Sequence, residues 1–127
     1  MSAAAKPGAG TSRNVRLEDR LLDVIERRAR ERLKIEVRGI ATATRHRLSM
    51  GERRFGDRFL SRNNTAEARE EAADLVAYVL LELQRLERDN RLTDAVRDDL
   101  LRAAVFAAAA DGCLRRVAKA LRRKGGP

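Results

Sequence analysis

Apolar positions recur at helical spacing near the start of the chain. The stripe is made by Leu17, Leu21, Val24 or Ile25, Ala29 and Leu33. Residues three or four apart lie on one side of an α-helix, and charged pairs such as Asp23 with Arg27 fall outside the stripe. The pattern therefore predicts an amphipathic helix over residues 15–33.

A second helix is predicted from about Val37 to Leu60, although its apolar period is weak. Gly51 and Gly56 fall inside this stretch. Because glycine disfavours a helix interior, we expect an interruption or a bend near these two positions.

Two longer helices are predicted in the second half of the chain. Asn64 with Glu67 three positions later has the form of a capping box, which opens the third helix. That helix should continue to about Arg88. The fourth should begin near Thr93 and run to about residue 123, with Gly112 as a point of weakness.

No stretch alternates with period two for long enough to form a sheet, so the predicted fold class is all-α. Four helices with short connections favour an antiparallel four-helix bundle. We expect one helical domain over residues 15–123, between a flexible N-terminal tail at 1–14 and a flexible basic tail at 124–127. The alanine run 107–110 predicts that a partner helix approaches the fourth helix closely.

Residues 75–81, LVAYVLL, are apolar on every side of the third helix. Two interpretations stay open. Either a homodimer covers the surplus apolar surface, or this helix is the central one of the bundle.

Charge is distributed unevenly along the chain. The net charge is +9, and it divides into +1 over residues 1–12, +7 over 13–62, −5 over 63–99 and +6 over 100–127. A basic chain favours a phosphate-bearing partner, whereas an acidic helix within it can hold metal ions beside phosphate oxygens. No apolar stretch predicts a signal peptide or a membrane span, and the single Cys113 permits no internal disulfide. A reducing cytoplasm and no membrane partner are the expectation.

The acids of the third helix share a face. Glu67, Glu71, Asp74 and Tyr78 fall within about 60° of one another at helical spacing, with Glu70 at the edge. Mg²⁺ held by carboxylates would relieve their mutual repulsion. A solvated first turn, favoured by the helix dipole, is the structural alternative. Because the same face continues to Tyr78 and Leu81, which do not resemble an exposed surface, we expect the acids to line a cleft.

The motif E-x-x-D-x-x-x-Y, present as Glu71, Asp74 and Tyr78, resembles the second metal motif of the MazG-like all-α nucleoside triphosphate pyrophosphohydrolases. The preceding GERRFGDRFLSRN, with Phe55-Gly56-Asp57, is similar to the segment that leads into this helix in small phage and bacterial relatives. The resemblance covers about residues 45–85.

The resemblance implies an oligomeric helical bundle that hydrolyses nucleoside triphosphates to monophosphate and pyrophosphate with Mg²⁺. Glu71 and Asp74 would be metal ligands, Glu67 or Glu70 would complete the shell, and Glu70 and Glu71 would act in catalysis. The triphosphate would be held by some of four arginines: Arg53, Arg54, Arg58 and Arg62. The chain lacks the E-x-x-E pair that the family carries on the preceding helix, so nucleotide binding without hydrolysis is also compatible with the motif.

The main alternative is a non-catalytic basic helical protein that binds nucleic acid through the +7 and +6 segments. Few aromatic residues are present for stacking on bases, 3 Phe and 1 Tyr. His46 lies in a basic helix without a second ligand and is interpreted as a surface residue. Cys113 is interpreted as a buried or neutral thiol rather than a nucleophile.

Overall fold

A computed structural model describes residues 15–35, 37–56 and 58–123. Within these ranges all regular secondary structure is helical, which confirms the all-α prediction. The helices are α1 (Val15–Leu33), α2 (Arg38–Phe55), α3 (Arg58–Ser61), α4 (Asn64–Arg88) and α5 (Asp94–Arg123). The two predicted tails lie outside the described residues.

The chain packs as two compact units. The N-terminal unit extends to Arg62 and contains α1, α2 and α3; the hairpin unit begins at Asn63 and contains α4 and α5. That residues 15–123 form one domain stays a prediction. None of the described helices combines the length and hydropathy that a bilayer-spanning segment requires.

In the N-terminal unit, α1 packs on α2. Leu22 and Ala41 are buried, and the Arg45 guanidinium donates from Nε to Asp19 Oδ1 at 2.8 Å. The predicted break at Gly56 is confirmed: its φ of 61° lies in the left-handed region that glycine tolerates, and α2 ends there. Gly51 does not interrupt the helix. It is buried within α2.

The hairpin unit consists of two helices joined by a five-residue connection, residues 89–93. Its core contains Val79 and Leu86 of α4 and Ala107 of α5, each less than 10% exposed. Burying these side chains between the helices stabilises the pair, since most helical stability in proteins comes from packing an apolar face. The burial of Ala107 confirms that a partner helix, α4, approaches closely at the start of the alanine run.

The beginning of α4 differs from the predicted capping box. Asn63, not Asn64, is the N-cap, because its side-chain Oδ1 accepts a hydrogen bond from the Ala66 N–H at 3.0 Å. Asn64 is already helical, so Glu67 stands one position too far along to complete a box with Asn63.

We expect Asn63→Ala to lower the free energy of unfolding by about 1 kcal/mol, because the Ala66 N–H loses its acceptor. Urea titration followed by circular dichroism measures this loss. Asn63→Asp is the matched control, since aspartate keeps a cap acceptor. Equal destabilisation by both variants would contradict a capping role.

The end of α4 is a Schellman motif centred on Asn90, whose φ is 56°. Arg91 N–H donates to Leu86 O at 2.8 Å, and Asn90 N–H donates to Glu87 O at 3.1 Å. Asparagine tolerates this left-handed conformation better than most residues. The predicted end of the helix near Arg88 is thereby confirmed.

The predicted fourth helix is confirmed as α5. Thr93 Oγ1 accepts from the Val96 N–H at 3.2 Å, so the helix begins at the next residue, Asp94. It continues without interruption through Gly112 to Arg123.

Candidate functional site

The predicted metal ligands all lie on α4, in the hairpin unit. Glu67 is half-buried, and Glu70, Glu71 and Asp74 are exposed. Glu67, Glu71, Asp74 and Tyr78 share one side of α4, centred about 110° round the helix from the buried Val79. We call these four residues the outer acidic face.

The continuation of this face corrects one expectation. Tyr78 is 70% exposed and Leu81 is 58% exposed, so the side chains expected to close a cleft lie in solvent. The helix has more apolar surface than α5 can cover. Of residues 75–81, Val79 alone is buried.

The acids suit a Mg²⁺ site that has two protein carboxylates. Glu71 and Asp74 supply two carboxylates one helical turn apart on an exposed surface. Mg²⁺ in nucleotide sites commonly binds one or two carboxylates and takes its remaining ligands from water and phosphate oxygens. A cage of three or more acidic, histidine or cysteine side chains does not occur among the described residues.

The four arginines predicted to hold phosphate lie in the N-terminal unit. Arg53 and Arg54 are in the last turn of α2, Arg58 opens α3, and Arg62 follows it. All four side chains are exposed. The acids and the arginines thus belong to different units.

No family model, curated protein or solved structure matches this chain. The MazG-like resemblance of residues 45–85 stays a prediction.

An ion-pair cluster that the sequence pattern did not reveal joins the two helices of the hairpin unit. Arg69 Nε of α4 donates to Asp111 Oδ1 of α5 at 2.9 Å, and Arg115 Nε donates to Asp111 Oδ2 at 3.1 Å. We call these three residues the Asp111 cluster. The sequence carried one signal for it, because Asp111 is the only acid among residues 100–127.

Hydrogen bonds from Arg69 and then Arg115 lower the pKa of Asp111 from its ordinary value of 3.8. A carboxyl whose pKa is lower in the folded state stabilises the fold while it is ionised. That contribution is present above about pH 4 and disappears as the pH falls through the folded-state pKa.

We therefore expect Asp111→Asn to lower the melting temperature by a constant amount between about pH 5 and 8, and by progressively less below about pH 4. Thermal unfolding across this range measures the difference. Asp98→Asn, an exposed acid on the same helix, is the control and should have a smaller effect at neutral pH. A loss in Asp111→Asn that persists unchanged at pH 2 would refute the ionic origin of the effect.

The remaining predicted residues are exposed. His46 lies on the surface of α2, as expected. Cys113 is exposed rather than buried, and its Sγ accepts from Arg116 Nη2 at 3.5 Å. The last three turns of α5 carry five exposed cations: Arg115, Arg116, Lys119, Arg122 and Arg123.

Proposed function

We propose that the protein is a Mg²⁺-dependent nucleoside triphosphate pyrophosphohydrolase whose metal site is the outer acidic face. The observation that carries the proposal is the placement of Glu71 and Asp74. They stand one turn apart on an exposed helical surface, which supplies the two carboxylates that a Mg²⁺–triphosphate complex needs.

Each residue has a distinct role in this proposal. Glu71 and Asp74 hold the cation, and water and phosphate oxygens complete its shell, with Glu67 beside them on the same face. Glu70, at the edge of the face, accepts a proton from the attacking water. Bound Mg²⁺ supplies Lewis-acid polarisation of the phosphate oxygens and lowers the pKa of water.

Arginine side chains would bind the triphosphate. A guanidinium presents a planar fork of N–H donors that matches two phosphate oxygens at once, and its charge persists at every physiological pH. The candidates are Arg53, Arg54, Arg58 and Arg62.

Association of two chains as a homodimer completes the proposed architecture. Tyr78 and Leu81 present apolar surface beside the acids. A second copy that covers these residues would form an antiparallel four-helix bundle from two hairpin units and would exclude water from the acids. Carboxylates in such a water-excluded site interact more strongly with cations than carboxylates in bulk solvent.

The test is a panel of ribo- and deoxyribonucleoside triphosphates incubated with the full chain and Mg²⁺, with monophosphate and pyrophosphate quantified separately. Equimolar monophosphate and pyrophosphate, abolished by EDTA, would support the proposal. Diphosphate with inorganic phosphate would indicate a different bond cleavage. If the folded protein turns over none of the nucleotides, the proposed catalytic activity is overturned.

Nucleic-acid binding without catalysis is the second candidate, favoured by the five exposed cations at the end of α5. Contacts to phosphates release counterions, so the affinity for a random-sequence duplex should fall steeply as the salt concentration rises. Fluorescence anisotropy measures that slope. Binding that is independent of salt would exclude this candidate.

A further inference from the structure

A groove runs along one flank of the hairpin unit, and its apolar floor on α4 lies at least about 100° round the helix from the outer acidic face. Its volume is about 670 Å³. Five small apolar side chains form much of its lining: Ala72, Ala73, Val76, Ala107 and Ala108. Because methyl groups line both helices, the floor suits an apolar guest and offers no side-chain hydrogen bond to a sugar or a base.

The Asp111 cluster contributes the charged part of the same lining. Arg69 and Arg115 each bond to Asp111 through Nε, and among the described residues no other bond involves either guanidinium. Their Nη groups are therefore available as donors. Two cations sharing one carboxylate leave a net charge of +1, which favours an anion. Glu70 also lines the groove and brings the net charge of the whole lining to zero, so the preference for an anion is local to the Nη donors of the Asp111 cluster.

Apolar surface continues from the groove towards the closed end of the hairpin unit. Leu80 follows Val76 at helical spacing, and Leu101 precedes Ala108 by two turns, so both extend the same flank. They are 49% and 43% exposed. Leu80 lies 11 residues beyond Arg69, which corresponds to about 16 Å along the helix.

We infer that this groove binds an amphiphilic anion, with a carboxylate or phosphate monoester head on Arg69 and Arg115 and a single alkyl chain along the alanine floor towards Leu80 and Leu101. The oxyanion accepts charge-assisted hydrogen bonds from the Nη groups, while Asp111 fixes the position of both guanidiniums. This site goes beyond the proposed function, since its arginines and apolar floor lie on another flank of α4 and it requires no metal. Glu70 lines the groove and also stands at the edge of the outer acidic face.

Isothermal titration calorimetry of the full chain with four ten-carbon probes tests the inference. Decanoate and decyl phosphate carry the expected heads; decanol and decyltrimethylammonium have the same chain without an anion. We expect saturable binding of one anionic molecule per chain, at least tenfold tighter than either control probe. The tighter of the two anions identifies the preferred head.

Variants locate the site on the protein. Arg69→Gln and Arg115→Gln should each weaken anion binding by roughly tenfold, since each removes charge-assisted donors. Ala108→Leu should abolish binding, because the larger side chain fills the groove from an exposed position that tolerates it in the fold. Arg97→Gln is the matched control: Arg97 is an ion-paired arginine of α5 outside the groove lining, and its loss should leave affinity unchanged.

Several results would overturn the inference. They are no binding of either anion, equal binding of all four probes, or anion binding that persists in Ala108→Leu. Circular dichroism confirms that each variant is folded. Arg115 and Ala108 are exposed, so substitutions at these positions should leave the fold intact. Their results decide the test even when Arg69→Gln destabilises the hairpin unit. None of these measurements depends on nucleotide hydrolysis, so the site and the proposed enzyme can fail separately.

Discussion

Glu71→Gln and Asp74→Asn should each reduce Mg²⁺-dependent release of pyrophosphate by roughly 100-fold or more. Each change replaces a charged oxygen ligand with a neutral amide of the same shape. Loss of a partner outside the first coordination shell already costs about 10- to 100-fold in metal proteins, so removal of a direct ligand should cost at least as much. Initial rates at saturating nucleotide, measured across a Mg²⁺ titration, give the effect.

The controls separate a ligand role from a general effect of charge. Glu87→Gln removes an exposed acid from the far end of α4 and should keep nearly full activity. Higher Mg²⁺ should restore part of the rate in Asp74→Asn if the defect is in metal affinity. Full activity in both ligand variants would exclude the outer acidic face as the metal site, even if the protein hydrolyses nucleotides.

Leu86→Ala should lower the free energy of unfolding by about 2–3 kcal/mol. Leu86 is 8% exposed and belongs to the small core between α4 and α5. Truncation removes buried methyl groups and leaves a cavity that two helices can only partly close. Urea unfolding followed by helical circular dichroism measures the loss.

Leu80→Ala is the matched control for this measurement. It removes the same atoms from the same helix, but Leu80 is 49% exposed. We expect a loss of less than half that in Leu86→Ala, because less apolar surface returns to water. Equal losses at the two positions would mean that the packing of α4 on α5 described above is not the one that stabilises the protein.

The strongly periodic segments were predictable from sequence. The stripe from Leu17 to Leu33 places α1 within its observed bounds, and the Asp89-Asn90 pair marks the end of α4. Both depend on local chemistry: side-chain spacing in one case, and the tolerance of asparagine for a left-handed backbone in the other.

Where the local structure differs from the prediction, two residues of the same type stand close together in the sequence. Asn63 and Asn64 can each cap a helix, and the position of Glu67 favoured the wrong one. Gly51 has the same intrinsic preference as Gly56, but it lies inside α2, whereas Gly56 follows the last helical residue with a φ of 61°.

The site depends on information that a linear pattern lacks. The apolar character of Tyr78 and Leu81 predicts that they are covered, yet burial is decided by which neighbour packs on which side of the helix, and both are exposed. Likewise, Arg69 and Asp111 are 42 positions apart. Their contact follows from the pairing of α4 with α5, so neither charge pattern nor propensity could reveal it.

The five-residue connection between α4 and α5 has a kinetic consequence. Contacts nearest the turn close small loops, and each later contact extends an already formed pair by about one helical turn, so little chain entropy is lost at each step. Topologies of this kind have low contact order and fold in microseconds to milliseconds. We expect the contacts between α4 and α5 to form first beside their connection and then progressively farther from it. The Arg69–Asp111 contact should be among the last to form on folding and the first to break on unfolding.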